Sequence, residues 1–179
     1  MGSRSGSVDP GILTYLMRRG QLDPQELDKV LNQRSGLLGI SGVSSDMLDL
    51  LVRIHDGNER AKLAFDISIH RLRAAIGGMV AVLGGIDVMI FTAGVGENSP
   101  DVRSAACSTL EFLGLRLDNA RNAHPSPDKD ISAADSKVRV FVIRAQEDWA
   151  IAAECWKRMR ASSPMTRGES EILEQQYSS

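Results

Sequence analysis

Two nearly continuous apolar runs, "IDVMIFTAG" from Ile86 and "VRVFVIRA" from Val138, constrain this chain more than anything else in it. Runs of β-favouring residues without polar alternation belong to strands covered on both faces, as in a parallel sheet. Each run gives way to helical periodicity, and helices also fill the chain before the first run. Helices followed by strand, helix, strand and helix place the chain in the α/β class. With 179 residues, 42 % of them hydrophobic, it can bury the core of one ordinary domain.

The helices carry their own signals. In "LDPQELDKVLNQRSG", Asp23 is a cap, Pro24 suits the first helical position, and Glu26 is placed to reach back and complete a capping box. A shorter helix is expected from Pro10 to Arg19. In "SGLLGISGVSSDM" the glycines at 36, 39 and 42 bracket short apolar pieces, and a helix follows from Met47 to Ile54. From Glu59 to Val82, Ala61, Phe65, Ile69, Leu72, Ile76 and Val80 recur at three- and four-residue steps, widened by Leu63 and Ile67. Gly77 and Gly78 cost helix stability there, so close packing against a neighbouring element is expected. Ser99 and Pro100 open a helix expected to run to Gly114, residues 115–137 read as a long connection with at most a short extended piece near Leu115 to Leu117, and a last helix spans Glu147 to Arg160. Residues 1–160 are expected to form the domain and 161–179 a polar, flexible tail.

Charge and composition exclude several functions. A net charge of −2 gives no electrostatic reason to expect nucleic acid or an acidic membrane as partner. No apolar run approaches a membrane span and the first residues lack a signal peptide's apolar segment, so a cytoplasmic protein is expected. Gly6 stands where a myristoylation motif needs Ser or Thr. Cys107, Cys155 and the scattered His55, His70 and His124 read as structural or surface residues.

Ligands of open α/β sheets bind beyond the carboxyl ends of the strands, which directs attention to Thr92–Ser99 and Arg144–Asp148. Gly94 and Gly96 let backbone N–H groups approach an anion, and the helix opened by Ser99 points its positive end nearby. A tight strand-to-helix turn explains the same residues. The segment is neither a dinucleotide fingerprint nor a Walker loop, because Ser99 replaces the third glycine and no Gly-Lys pair follows. Glu147 and Asp148 are hard oxygen ligands suited to Mg²⁺, or simply first-turn acids of a helix. Asp46 in "GVSSDM" can take ribose hydroxyls or cap the next helix. Arg4 in "GSRSG" can clamp phosphoryl oxygens or stand solvated.

In order and spacing, these segments resemble the C-terminal part of acetate kinase from Met1 to about Arg158. "MGSRSGSVDPG" is similar to that family's Met-Gly-Thr-Arg-Ser-Gly-Asp-Ile-Asp-Pro-Gly, and "SGLLGISG" to its identical stretch. "FTAGVGENS" resembles Phe-Thr-Gly-Gly-Ile-Gly-Glu-Asn, and "RAQEDWAIA" resembles Thr-Asn-Glu-Glu-Leu-x-Ile-Ala. The resemblance implies part of a sugar kinase, heat-shock chaperone and actin-like (ribonuclease H-like) domain. It also implies reversible phosphoryl transfer between ATP and acetate with Mg²⁺, in a homodimer. By the same resemblance Arg4 is catalytic and stabilises the transferring phosphoryl. Asp46, Met47 and Leu48 lie at the adenosine pocket, Gly94, Val95, Gly96, Glu97 and Asn98 contact the nucleotide, and Glu147 helps place the metal.

Departures from the family pattern are Leu48 for a common arginine, Ser7 for aspartate, and Gln146-Glu147-Asp148 for Asn-Glu-Glu. The family's acetate-binding arginine, catalytic aspartate, phosphoryl-contacting histidine and metal-binding asparagine have no counterpart here, nor do its first strands. Acetate or another short carboxylate is therefore expected to bind through the missing part, and the chain to be inactive alone. Both strands are expected to lack neighbours, exposing apolar surface and an unpaired edge. A non-catalytic dimerisation fragment and a generic anion-binding domain are the competing readings.

Overall fold

A computed structural model describes residues 2–124 and 128–162. Among these, the helices are α1 (Pro10–Arg18), α2 (Pro24–Gln33), α3 (Gly36–Ser41), α4 (Met47–His55), α5 (Glu59–Leu83), α6 (Ala93–Asn98), α7 (Pro100–Cys107), α8 (Asn119–Ala123) and α9 (Glu147–Ser162). The strands are β1 (Val88–Phe91), β2 (Lys129–Asp130) and β3 (Arg139–Val142). The chain divides into two compact units, Met1–Arg144 and Ala145–Ser179. The second contributes α9; the expected tail otherwise lies outside the described residues.

Side-chain caps start the helices where the sequence places them. Asp23 accepts from the Glu26 amide at 2.8 Å and Asn58 from the Ala61 amide at 2.9 Å, each satisfying an N–H that has no partner inside its helix. Glu26 does not complete a capping box: its carboxylate pairs with Lys29 at 2.8 Å and Arg34 at 3.4 Å. A full positive charge one turn on outcompetes a backbone dipole, and the Lys29 hydrogen bond and charge hold the Glu26 carboxyl below its usual range. "GLLGIS", expected as apolar pieces between glycines, closes into α3 and ends at Gly42, whose φ of 73° is the left-handed conformation a helix stop uses.

The bearing element is α5, which packs against α3, α4 and α7. Its contact face is made of small or branched residues, with Ala61 and Ala64 fully buried and Ile69 nearly so. Leu63 and Ile67, expected to widen that face, are exposed instead. Gly77 and Gly78 are also exposed, and a Cβ at either would meet nothing within 4 Å, so close packing is not why they are there.

The sheet runs in the order β1-β3-β2. β1 pairs with β3 in parallel, Val88 opposite Arg139 and Phe91 opposite Val142, so the carboxyl ends of both strands coincide. The connection between them is richer than expected. It holds α8, the antiparallel strand β2 and, where a short extended piece was expected, bridges at Leu115 and Leu117, while the helix expected to reach Gly114 ends at Cys107 and a 3₁₀ turn follows at Glu111–Leu113. α7 joins the two buried clusters. Its Val102 packs with Leu37, Met47, Leu50 and Ile69, while Ala106 and Cys107 pack with Phe91, Val140 and Val142. The Arg73 guanidinium of α5 donates to the Ala105 carbonyl and, at 2.8 Å, to Ser108 Oγ, fastening α5 to the end of α7.

β1 is covered on one face, not two. Phe91 is buried, but Val88 is 47 % and Ile90 53 % exposed. They face a groove of about 340 Å³ shared with Ile76, Met79 and Val80 of α5. Within the described sheet β1 is also an edge, with backbone groups that no neighbouring strand takes. Sedimentation velocity over a range of concentrations is expected to show self-association that Ile90→Lys reduces without lowering the melting temperature. A monomeric boundary at every concentration would contradict this.

Candidate functional site

The segment bearing Arg4 is sewn to the α2–α3 junction by backbone bonds. The Ser5 amide donates to Leu31 O at 2.8 Å, Ser35 N to Ser3 O at 2.9 Å, and Leu38 N to Gly2 O at 2.9 Å. Gly2 passes so close to the next loop that a Cβ there would lie 2.6 Å from Ser45 O. Only glycine fits, and the contact sets the Arg4 segment against the loop that delivers Asp46. Arg4, Arg34 and Arg71 line one cavity of about 540 Å³ with Gly36, Ile40 and Ile67. Among the described residues no acidic one lines it, so its potential favours an anion.

Asp46 caps α4, its Oδ1 accepting from the Leu48 amide at 2.8 Å and the Asp49 amide at 3.1 Å. One carboxylate oxygen is thereby committed to the fold. Met47 is buried in the core with Leu50, whereas Leu48 is half exposed. Of these three residues, Asp46 and Leu48 present side chains to solvent.

α6 begins directly after β1, where Phe91 O accepts from Ile143 N at 2.9 Å. The expected glycine turn is a six-residue helix entered through Ala93 at φ 58°, a left-handed conformation costly for a residue with a Cβ. Asn98 Nδ2 donates back to Gly94 O at 2.8 Å, tying the helix end to its start. A Cβ on Gly96 would rest against the Phe91 backbone at 3.4 Å, and a Cβ on Gly94 would meet nothing within 4 Å. Among the described residues, no neighbour therefore requires Gly94 to be a glycine.

Beneath α6 lies Arg103, completely buried. Its Nη1 donates to Gly96 O and to Glu97 O, both at 2.8 Å. Its Nε donates to Asn122 Oδ1 and its Nη2 to Asn122 O, both at 2.7 Å. Asn122 completes the arrangement by donating to Pro100 O at 3.1 Å and Ser104 Oγ at 2.8 Å. Burial pushes the guanidinium below its ordinary range and, one turn on, raises the Cys107 thiol from 9.0 to about 12.

In the second unit, α9 carries Glu147 and Asp148 in its first turn. Among the described residues no three His, Cys, Asp or Glu side chains gather into a metal cage. Mg²⁺ in phosphoryl-transfer sites takes one or two carboxylates and completes its shell with water and phosphate oxygens, and Glu147 fits that donor set.

The sequence pattern of the acetokinase family matches residues 1–153. The chain belongs to the acetokinase family. The acetate kinase of Gloeobacter violaceus is 60 % identical to it over 160 residues, which are 89 % of this chain and 40 % of that protein. That of Trichormus variabilis is 58 % identical over 156 residues, 87 % of this chain and 38 % of that protein. Among solved structures, the acetate kinase of Porphyromonas gingivalis superposes with a TM-score of 0.80 at 40 % identity, covering 89 % of this chain and 40 % of that one. A propionate kinase from Francisella tularensis gives 0.77 at 33 % identity over 85 % of this chain and 38 % of its own. The acetokinase chain described here thus spans about two fifths of the length of these relatives.

Sequence reasoning about this acetokinase segment missed Arg103 and Asn122. Arg103 carried a signal: with Ala106 and Cys107 at three and four residues on, it occupies the apolar stripe of α7. Asn122 carried none, sitting in a polar stretch. Ala93 is also informative, because the related pattern has glycine there. Ala93→Gly is expected to stabilise the first unit by up to about 1 kcal/mol in denaturant titration, relief of the left-handed strain exceeding glycine's entropic cost. An unchanged or lowered midpoint would count against the strain.

Cys107 supplies a pH test. Between about 9 and about 12 the folded thiol keeps its proton while the unfolded one loses it, so stability falls as pH rises, by about 1.4 kcal/mol per unit at most. Cys107→Ser or Cys107→Ala is expected to flatten that decline in urea melts, and persistence of the full slope would refute the assignment.

Proposed function

We propose that this chain is the nucleotide-binding part of an acetate kinase with the sugar kinase, heat-shock chaperone and actin-like fold. Within a cytoplasmic homodimer it takes part in reversible, Mg²⁺-dependent phosphoryl transfer between ATP and acetate or another short carboxylate. The observation that carries the reading is Gly94. It stands just past the strand end on the exposed side of α6, with no neighbour among the described residues that a side chain would strike. A glycine kept open in this way suits close approach of a ligand to the backbone.

Phosphoryl transfer demands positioning and neutralisation of charge more than covalent chemistry. Arg4 projects from a segment immobilised by three backbone bonds, so its guanidinium starts from a fixed base when it meets phosphoryl oxygens. Asp46 and Leu48 border the adenosine, and the backbone from Gly94 to Asn98 follows the nucleotide. Glu147 would hold Mg²⁺, which would supply neutralisation of charge on the phosphate oxygens. The resemblance assigns the carboxylate acceptor's binding groups to the part of the longer relatives that this chain does not span, so turnover is expected only when that part is supplied.

Isothermal titration with Mg-ATP is expected to show saturable binding. Gly94→Val should weaken it at least about tenfold while leaving the melt unchanged, because the new side chain enters open space. Gly96→Asp should abolish it by placing a carboxylate beside the phosphates, and Arg4→Ala should lower turnover of the complemented enzyme far more than it lowers affinity. A chain that self-associates through the exposed β1 face yet shows no affinity for Mg-ATP would select the other reading, a non-catalytic interaction piece of the same family.

A further inference from the structure

We propose that Arg103 and Asn122 are positioning residues for the nucleotide, a clasp that sets the backbone of α6 without touching the ligand. The inference rests on the assignment of Gly94–Asn98 to nucleotide contact. Its independent support is geometric. α6 has six residues, so most of its carbonyls lie in an end turn without a helical partner. Two of them, Gly96 O and Glu97 O, converge on one nitrogen of a guanidinium that is wholly removed from water.

A buried cation that binds only one partner stays free to swivel; Arg103 is held at its other two nitrogens. Nε and Nη2 are taken by the side chain and the backbone carbonyl of Asn122. Asn122 is itself fixed by donation to Pro100 O and Ser104 Oγ, both in the first turns of α7. The loop of bonds therefore closes from α6 to α7, through α8 and back. Every polar atom in it has a partner, and its planar fork specifies the angle between α6 and α7 in a way that an apolar contact does not. The consequence is that α8, in the connection between the strands, influences nucleotide affinity at a distance.

The test uses the whole chain and reads two quantities, amide hydrogen exchange and Mg-ATP affinity. Asn122→Leu removes the acceptor for Arg103 Nε and both side-chain donations. It is expected to speed exchange at residues 94–98 while β3 amides stay protected, and to weaken Mg-ATP binding about tenfold, the scale of a lost outer-shell partner. Asn122→Asp loses the donation to Pro100 O but keeps an acceptor for Nε and can accept from the Ser104 hydroxyl in place of donating to it, so it is expected to hold Arg103 against Gly96 O and Glu97 O and to retain affinity within about twofold. Equal losses in the two variants, or a folded Asn122→Leu chain with parental affinity and parental exchange in α6, would overturn the positioning role. Failure of the parent chain to bind Mg-ATP would overturn the functional reading itself, a result distinct from either.

Discussion

A guanidinium taken completely out of water is the constraint around which this chain is arranged. Burying a charge is costly unless hydrogen bonds replace hydration, and Arg103 is placed where suitable acceptors are unavoidable. Short helices end in carbonyls that nothing inside the helix can satisfy. By putting the cation under the end of α6, the fold answers two needs with one set of bonds. The position of α6 beyond β1, the docking of α8 on α7, and the reach of Asn122 to Pro100 and Ser104 all follow from that arrangement.

The same device recurs elsewhere in the first unit. Arg60 of α5 donates to Ile40 O at 2.9 Å, capping the six-residue α3, and Arg73 takes the Ala105 carbonyl near the end of α7. Three arginines thus hold the carboxyl ends of three short helices, two of them reaching from α5. Helices too short to be stable on their own are in this way attached to one long helix and one buried cation. Of the segments assigned to ligand contact, Asp46 follows shortly after the anchored end of α3, and Gly94–Asn98 lie in α6 itself.

Much of this was legible in the residues. Asp23-Pro24 and Ser99-Pro100 announced helix starts through local capping chemistry, and the two apolar runs announced parallel strands; such signals act within a few residues and survive any tertiary context. Other features depended on partners far along the chain. Nothing near Gly36 says that "GLLGIS" will close into a turn and a half of helix capped by an arginine twenty residues away. Nothing in the polar stretch after Leu115 marks Asn122 as a buried ligand of a guanidinium. The coverage of β1 was misjudged for a related reason: an apolar run shows that both faces can be buried, but not that both are buried by this part of the chain. The resemblance to the family pattern is what proposes Arg4, Asp46 and the stretch from Gly94 to Asn98 as site residues. Only the coordinates showed that Gly2 is held against Ser45, and that the glycine stretch is helical and entered through a left-handed alanine.

The parallel pairing of β1 with β3 has a kinetic side. The two strands are separated in sequence by α6, α7, α8 and β2, so their ladder closes only after all of these have found approximate places, and contacts of such long range are slow to form. The Ile143–Phe91 hydrogen bond at the rim belongs to this late stage. The helical half built on α5, rich in neighbours close along the chain, has no such delay. The chain therefore assembles its scaffold first and shapes the strand end that leads into α6 last.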